Sequence, residues 1–229
     1  MAMPNADFAD EAAELMRKAD AGDAEAQYNF ATYLLKEKNF SYRKDLQSDE
    51  VKRGMDYLRK SAVQGYCSGL SALILGDIYY RGEIIAKDYK NAKLWYNTAL
   101  LKNHPIASYM LGEYAYYGYD EDIDYKKAVE FYLRASRGYI NAFIRIGDMY
   151  MRGEYLPYDP EFANKLYEHV LKEEEQLYKK HGFYSDAHKI VTASMAECAC
   201  IKKSKNAEAA KETEEQTAAR NKLLEIVNK

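Results

Sequence analysis

The sequence predicts an all-α fold, a right-handed solenoid of helical hairpins with a helical C-terminal cap. Three observations predict it. The stretch LGDIYYRG at 75–82 nearly recurs as LGEYAYYG at 111–118 and as IGDMYMRG at 146–153. Around these stretches, eight positions keep register at intervals of 36 and 35 residues, as Gly76, Gly112 and Gly147 show. Self-similarity at that period marks arrays of helical pairs. Finally, 12 Gly and 4 Pro in 229 residues are too few for the many tight turns of an all-β chain.

The elements follow in chain order within one expected domain, 1–229. Residues 8–22 (FADEAAELMRKADAG) resemble a lone second helix of a pair. A weaker repeat spans 24–66. In it, Ala26 and Phe30 hold their positions, Ala31 replaces the first glycine, and Glu50, Gly54, Tyr57, Leu58, Ser61 and Ala62 fit a second helix. A seven-residue insertion around KEKNFSYRKDLQ separates its two halves.

Three regular repeats follow, at 67–103, 104–139 and 140–172. Each opens with apolar or small residues at helical spacing: Ser71, Leu75 and Tyr79; Ala107, Leu111 and Ala115; Ala142, Ile146 and Tyr150. The first glycine lies inside that helix, where Gly costs about 1 kcal/mol against Ala. A cost recurring at Gly76, Gly112 and Gly147 implies close approach by a neighbouring helix. The second glycine, Gly82, Gly118 or Gly153, suits a left-handed helix end.

An acid comes next, Asp88, Asp124 or Asp159, at the N-cap position of a second helix. Asp159-Pro160-Glu161 is the clearest cap, with Pro at the first helical position and an acid in the first turn. Ala92, Ala128 and Ala163 then begin an apolar face. Trp95, Phe131 and Leu166 continue it with Tyr96, Tyr132 and Tyr167, one turn before Ala99, Ala135 and Val170. The last second helix extends through PEFANKLYEHVLKEEEQLYKK. Residues 173–229 read as further capping helices, since the end of a stacked array needs a polar cover. A dimerisation arm is the alternative reading of that region.

The pattern A-x-x-x-L-G-x-x-Y-x-x-G followed by D-x-x-x-A-x-x-W-Y-x-x-A resembles the Sel-one-like repeat family, relatives of the tetratricopeptide repeats. The repeat at 67–103 matches best, through Leu75, Gly76, Tyr79, Gly82, Asp88, Ala92, Trp95, Tyr96 and Ala99. The next departs at Ala115, and the third at Leu166 and Val170. The resemblance implies a non-catalytic interaction module with adaptor, regulatory or neutralising roles. It also implies that the first helix of each pair lines a concave groove. The groove positions are then Tyr28, Thr32 and Leu35; Leu73, Asp77 and Tyr80; Tyr109, Glu113 and Tyr116; Ile144, Asp148 and Met151. The acids Asp77, Glu113 and Asp148 would favour a protein or peptide partner with basic and apolar side chains. The alternative is a solvated helix face, with Asp77–Arg81 and Asp148–Arg152 as ordinary i,i+4 pairs.

The bulk numbers exclude other classes. A net charge of −3 and a pI near 5.9 offer no footprint for nucleic acid or anionic lipid. No apolar run approaches a membrane span, and the N-terminus lacks the pattern of a signal peptide. Cys67, Cys198 and Cys200 fit a reducing compartment, and one extracellular branch of the resembled family carries cysteine pairs that this chain lacks. The expectation is a cytoplasmic monomer. No P-loop, G-x-S-x-G, H-E-x-x-H or C-x-x-C is present, and His104, His169, His181 and His188 are scattered. No enzyme activity, cofactor or metal is expected. Two other readings stay open: a small-ligand binder or enzyme using a tyrosine–carboxylate pocket, and a self-associating scaffold.

Overall fold

In a computed structural model, residues 6–36, 49–201 and 212–228 are described. They form helices joined by short turns, with no strand among them. The fold is an all-α solenoid of helical hairpins. The insertion expected around 36–47 lies outside the described residues apart from its first position, as do the side chains of Cys198 and Cys200. Cys67 is free and exposed.

The helices fall where the repeat pattern puts them. Helix α1 (Ala6–Asp20) precedes α2 (Ala24–Lys36) and α3 (Asp49–Gln64), the two halves of the weak repeat. The regular repeats are α4 (Leu70–Arg81) with α5 (Tyr89–Leu101), α6 (Pro105–Tyr117) with α7 (Tyr125–Ala135), and α8 (Asn141–Arg152) with α9 (Pro160–His181). Two helices follow, α10 (Asp186–Ile201) and α11 (Glu214–Val227).

The sequence suggests a single domain. By contacts the chain groups into two compact units, Met1–Ala107 and Ser108–Lys229, with the division inside α6. Repeat arrays make this natural, because each hairpin touches only its neighbours. In the first unit α1 packs on α2, α2 on α3, α3 on α4, and α4 on α5. In the second, α7 packs on α8, α8 on α9, and α10 on both α8 and α9. Helix α11 packs against α7 and α9.

The turns show why the pattern recurs. Gly82 and Gly153 end their helices at φ of 70° and 67°, and Gly118 matches at 69°. In this left-handed region a side chain would be strained. The capping acids lie six residues further on. Asp88, Asp124 and Asp159 accept from the backbone N–H of Asn91, Lys127 and Phe162, at 3.0, 2.9 and 2.9 Å. Each acid's own N–H donates back to the first helix, to the carbonyls of Tyr79, Ala115 and Tyr150 at 2.9, 2.8 and 3.1 Å. One acid thus caps the second helix and ties it to the first.

Candidate functional site: the tyrosine–carboxylate face of the first helices

The site begins with the glycine inside each first helix. A Cβ at Gly76, Gly112 or Gly147 would lie 2.5 Å from the ring of Tyr96, Tyr132 or Tyr167. The close approach is therefore made by the tyrosine of the same hairpin. That ring is fully buried in all three repeats. Its hydroxyl emerges beside the residue after the glycine and donates to it: Tyr96 to Asp77 at 2.8 Å, Tyr132 to Glu113 at 2.6 Å, Tyr167 to Asp148 at 2.8 Å. Glycine, acid and tyrosine form one unit, because the glycine opens the slot and the acid receives the hydroxyl that the slot would otherwise leave unsatisfied.

The weak repeat supplies an internal control. There Ala31 stands for the glycine, Thr32 for the acid and Leu58 for the tyrosine. All three change together. Ala31 and Leu58 are fully buried, and Thr32 Oγ1 donates to the Asn29 carbonyl of its own helix at 2.8 Å. Where no phenol arrives, no carboxylate waits for it. The acids at 77, 113 and 148 thus have a packing role that neither sequence reading, docking ladder or solvated face, contains.

In the second unit the face carries an added charge. Arg145 on α8 donates from Nε to Glu113 on α6 at 2.7 Å, and its Nη1 lies 3.7 Å from Asp148. The guanidinium sits 4.4, 5.3 and 5.8 Å from the ring centroids of Tyr116, Tyr117 and Tyr132. Its side chain is only 13% exposed, with Nη2 buried and without a hydrogen-bond partner. The neighbouring rings face that charge in place of an acceptor. Burial works against the Arg145 charge, but Tyr132 and Glu113 outweigh it and hold the pKa above its ordinary value. Nearby, Tyr116 donates to Glu154 at 2.6 Å and accepts from Arg152 at 2.9 Å. Burial, then Glu154, pushes its pKa up to about 12.

Burial raises Asp77, partly countered by Tyr96, Arg81 and His104. It also raises Asp148, against Tyr167, Ser194, Arg145 and Arg152. A raised carboxylate is one mark of a reactive pocket. A cavity of about 510 Å³ does occur in the second unit, but its lining runs along Ser136–Ile140, Phe143 and the His169–Leu177 side of α9. It does not contain these acids. Among the described residues, no group of three or more His, Cys, Asp or Glu is placed to hold a metal.

The groove positions named from the sequence divide by exposure. Leu35, Leu73, Tyr116, Ile144 and Met151 are core residues, between 1% and 7% exposed. In these tightly stacked helices their apolar bodies turn into the helix contacts. Tyr28, Thr32, Asp77, Tyr80, Tyr109, Glu113 and Asp148 are half-buried. Within the second unit, Tyr109 meets Tyr132 and Tyr139 ring to ring at 5.7 and 4.9 Å. Arg145 was missed. A signal was present, because its position before the Leu/Ile of the repeat holds Ile74 and Met110 in the other regular repeats.

Comparison with known proteins agrees with this geometry. The Sel1 repeat family matches at residues 70–104, 105–138 and 144–168, leaving the weak repeat outside. Among solved structures, one similar fold is c5321, a protective antigen present in uropathogenic Escherichia coli strains that displays an SLR fold. It is 28% identical with a TM-score of 0.61, over 71% of this chain and 33% of that protein. This chain thus spans about a third of that protein's length. Another is a Sel1 repeat protein from Oxalobacter formigenes, with TM-score 0.62 and 20% identity over 94% of this chain and 74% of the other. At that identity the likeness concerns the fold alone. No curated protein matches the sequence. Sel1 repeat proteins are generally protein-interaction modules, and among the described residues no helix is long and apolar enough to cross a membrane. The chain thus carries three Sel1 repeats, in an all-α solenoid similar to that of solved proteins with such repeats.

Proposed function

We propose that the chain is a non-catalytic binding module that holds a protein or peptide segment along the exposed side of its first helices. The observation that carries this is the strip on α6 and α8. Exposed Tyr117 and Arg152 and half-buried Tyr109 surround an Arg145–Glu113 bridge fixed from both helices. Rigid aromatic rings between held charges give a partner large contact area at low ordering cost. The partner's charge matters less than the acids in the sequence suggest. Asp77, Glu113 and Asp148 are engaged by Tyr96, Tyr132 and Tyr167, and the latter two acids also by Arg145, so the three-acid ladder does not stand open to lysine or arginine. Selection then rests on shape and ring contact, with Tyr28, Asp77 and Tyr80 as the corresponding surface of the first unit.

A peptide-library selection on the full chain tests this reading. Selected peptides should slow amide exchange in α6 and α8, and should lose affinity to Tyr117→Ser/Arg152→Glu, a pair of exposed changes that leaves the Tyr132–Glu113 contact intact. Peptides that bind the variant equally, or that protect other helices, would move the binding surface off this face.

A further inference from the structure

The turn between α9 and α10 presents an unusual surface. Tyr178 stacks on Tyr184 at 4.4 Å with planes 12° apart, and Tyr184 stacks on His188 at 4.0 Å and 26°. Phe183 lies beside them, with its ring 6.0 Å from His181. Tyr178, Phe183 and Tyr184 are 45%, 59% and 44% exposed, and Ile190 one turn on is 46% exposed. Large rings left in water add little to a core.

Yet the turn is firmly built. Glu174, only 3% exposed, accepts from the Ser185 backbone N–H at 2.7 Å and from its hydroxyl at 2.6 Å. Gly182 closes α9 at φ 76°. A carboxylate is buried to fix a turn whose aromatic residues face outward. Lys179, Lys180, His181 and Lys189 are exposed around the rings, against Asp186 and the Glu175 that Lys179 meets at 3.7 Å. The platform therefore fits an acidic segment carrying an apolar anchor.

Such a segment exists on this chain. The turn between α6 and α7 reads Asp120-Glu121-Asp122-Ile123-Asp124, with Ile123 56% exposed and Asp120, Asp122 and Asp124 exposed beside it. It lies on the other edge of the hairpin layer. Antiparallel helices put the α6–α7 and α8–α9 turns together, and Tyr155 does line one cavity with Glu121–Lys127. The α7–α8 turn shares the opposite edge with the Glu173–Leu177 stretch that leads into the platform. The two surfaces therefore cannot meet within one copy of the unit.

We propose that the chain associates with a second copy of itself, the aromatic–lysine platform of one copy receiving the acidic Asp120–Asp124 turn of the next. This is a heterologous contact between two different surfaces, and it is independent of the first-helix face. Opposite charges at the rim make it sensitive to salt.

Sedimentation velocity on the full chain over a range of concentrations tests it. The wild type should self-associate at low salt and weaken by about tenfold or more at high salt. Lys179→Glu/Lys180→Glu and Asp120→Asn/Asp122→Lys, each confirmed as folded by circular dichroism, should sediment as monomers alone. Mixed together they should pair, since the first keeps an intact acidic turn and the second an intact platform. A wild type that stays monomeric overturns the proposal, as does association that survives both variants or a mixture that fails to pair. Monomeric wild type that still binds a separate acidic peptide at Tyr184 would assign the platform to a foreign partner, and would equally overturn self-association.

Discussion

At the scale of single residues, the chain repeats a three-part device: a glycine that opens a slot, a tyrosine that fills it, and an acid that takes the hydroxyl. The glycine is the sharpest test. Alanine is the better helix former by about 1 kcal/mol, so on propensity alone Gly112→Ala would stabilise. Its Cβ would instead sit 2.5 Å from Tyr132, whose ring is fully buried and cannot swing away. Gly112→Ala should therefore lower stability by about 1–3 kcal/mol in urea unfolding, and Gly112→Leu by more. An unchanged midpoint would mean that the ring yields easily. The weak repeat allows the reverse experiment. Leu58→Tyr alone puts a phenol against Ala31 with no acid to meet it, and should cost about 1–3 kcal/mol. Adding Ala31→Gly and Thr32→Asp should recover most of that loss, since slot and acceptor then exist. If the triple variant is no more stable than the single one, the three positions do not act as a unit.

At the scale of elements, the hairpin was the most legible part of the sequence. Gly82, Gly118 and Gly153, and the capping acids after them, were readable because a helix end is a local event whose chemistry lies within a few residues. The partner of each mid-helix glycine was not readable. Periodicity shows which face a residue occupies, but not that a tyrosine 20 residues later reaches back across the hairpin to that glycine. For the same reason Asp77, Glu113 and Asp148 read as a solvent-facing ladder when their hydroxyl partners lie on another helix. Asp159 shows a cap with two tasks. Its Oδ1 accepts from the Phe162 N–H at 2.9 Å, while its Oδ2 takes Arg220 of α11 at 2.6 Å. Arg220 also lies 4.4 Å from the Phe162 ring centroid, and Gln216 of α11 donates to the Tyr155 carbonyl in the same turn. Asp124→Ala should cost about 1 kcal/mol, an ordinary cap loss. Asp159→Ala should cost more and should also speed amide exchange in α11. Equal losses with α11 unaffected would leave the Arg220 bridge a surface contact of little weight.

At the scale of the whole molecule, the repeats are legible in the sequence because stacking is a one-dimensional problem, in which a repeat needs only a neighbour's face to bury its own. The functional face was legible only in part. Five of its named positions, Leu35, Leu73, Tyr116, Ile144 and Met151, proved to be core, since a first helix in a stacked array has neighbours on most of its circumference. Burial also sets how the molecule answers to pH. His104 and His169 each have a buried Nδ1 without a partner, and burial lowers both from the ordinary 6.5. Asp77 pulls against this at His104. At His169 Glu173 pulls against it, while Lys172 adds to the lowering. A histidine depressed in the native state takes its proton more readily when unfolded, so stability should fall as pH drops below about 6.5 and level off once the native side chains also protonate. Asp77 and Asp148 act with the opposite sign. Burial raises them above the ordinary 3.8, so the native state binds their protons first, and their protonation offsets part of the loss at lower pH. Thermal unfolding from pH 8 to 5 should therefore show a falling midpoint, with a shallower slope in His104→Gln/His169→Gln. A slope unchanged by both substitutions would place the proton uptake on other groups.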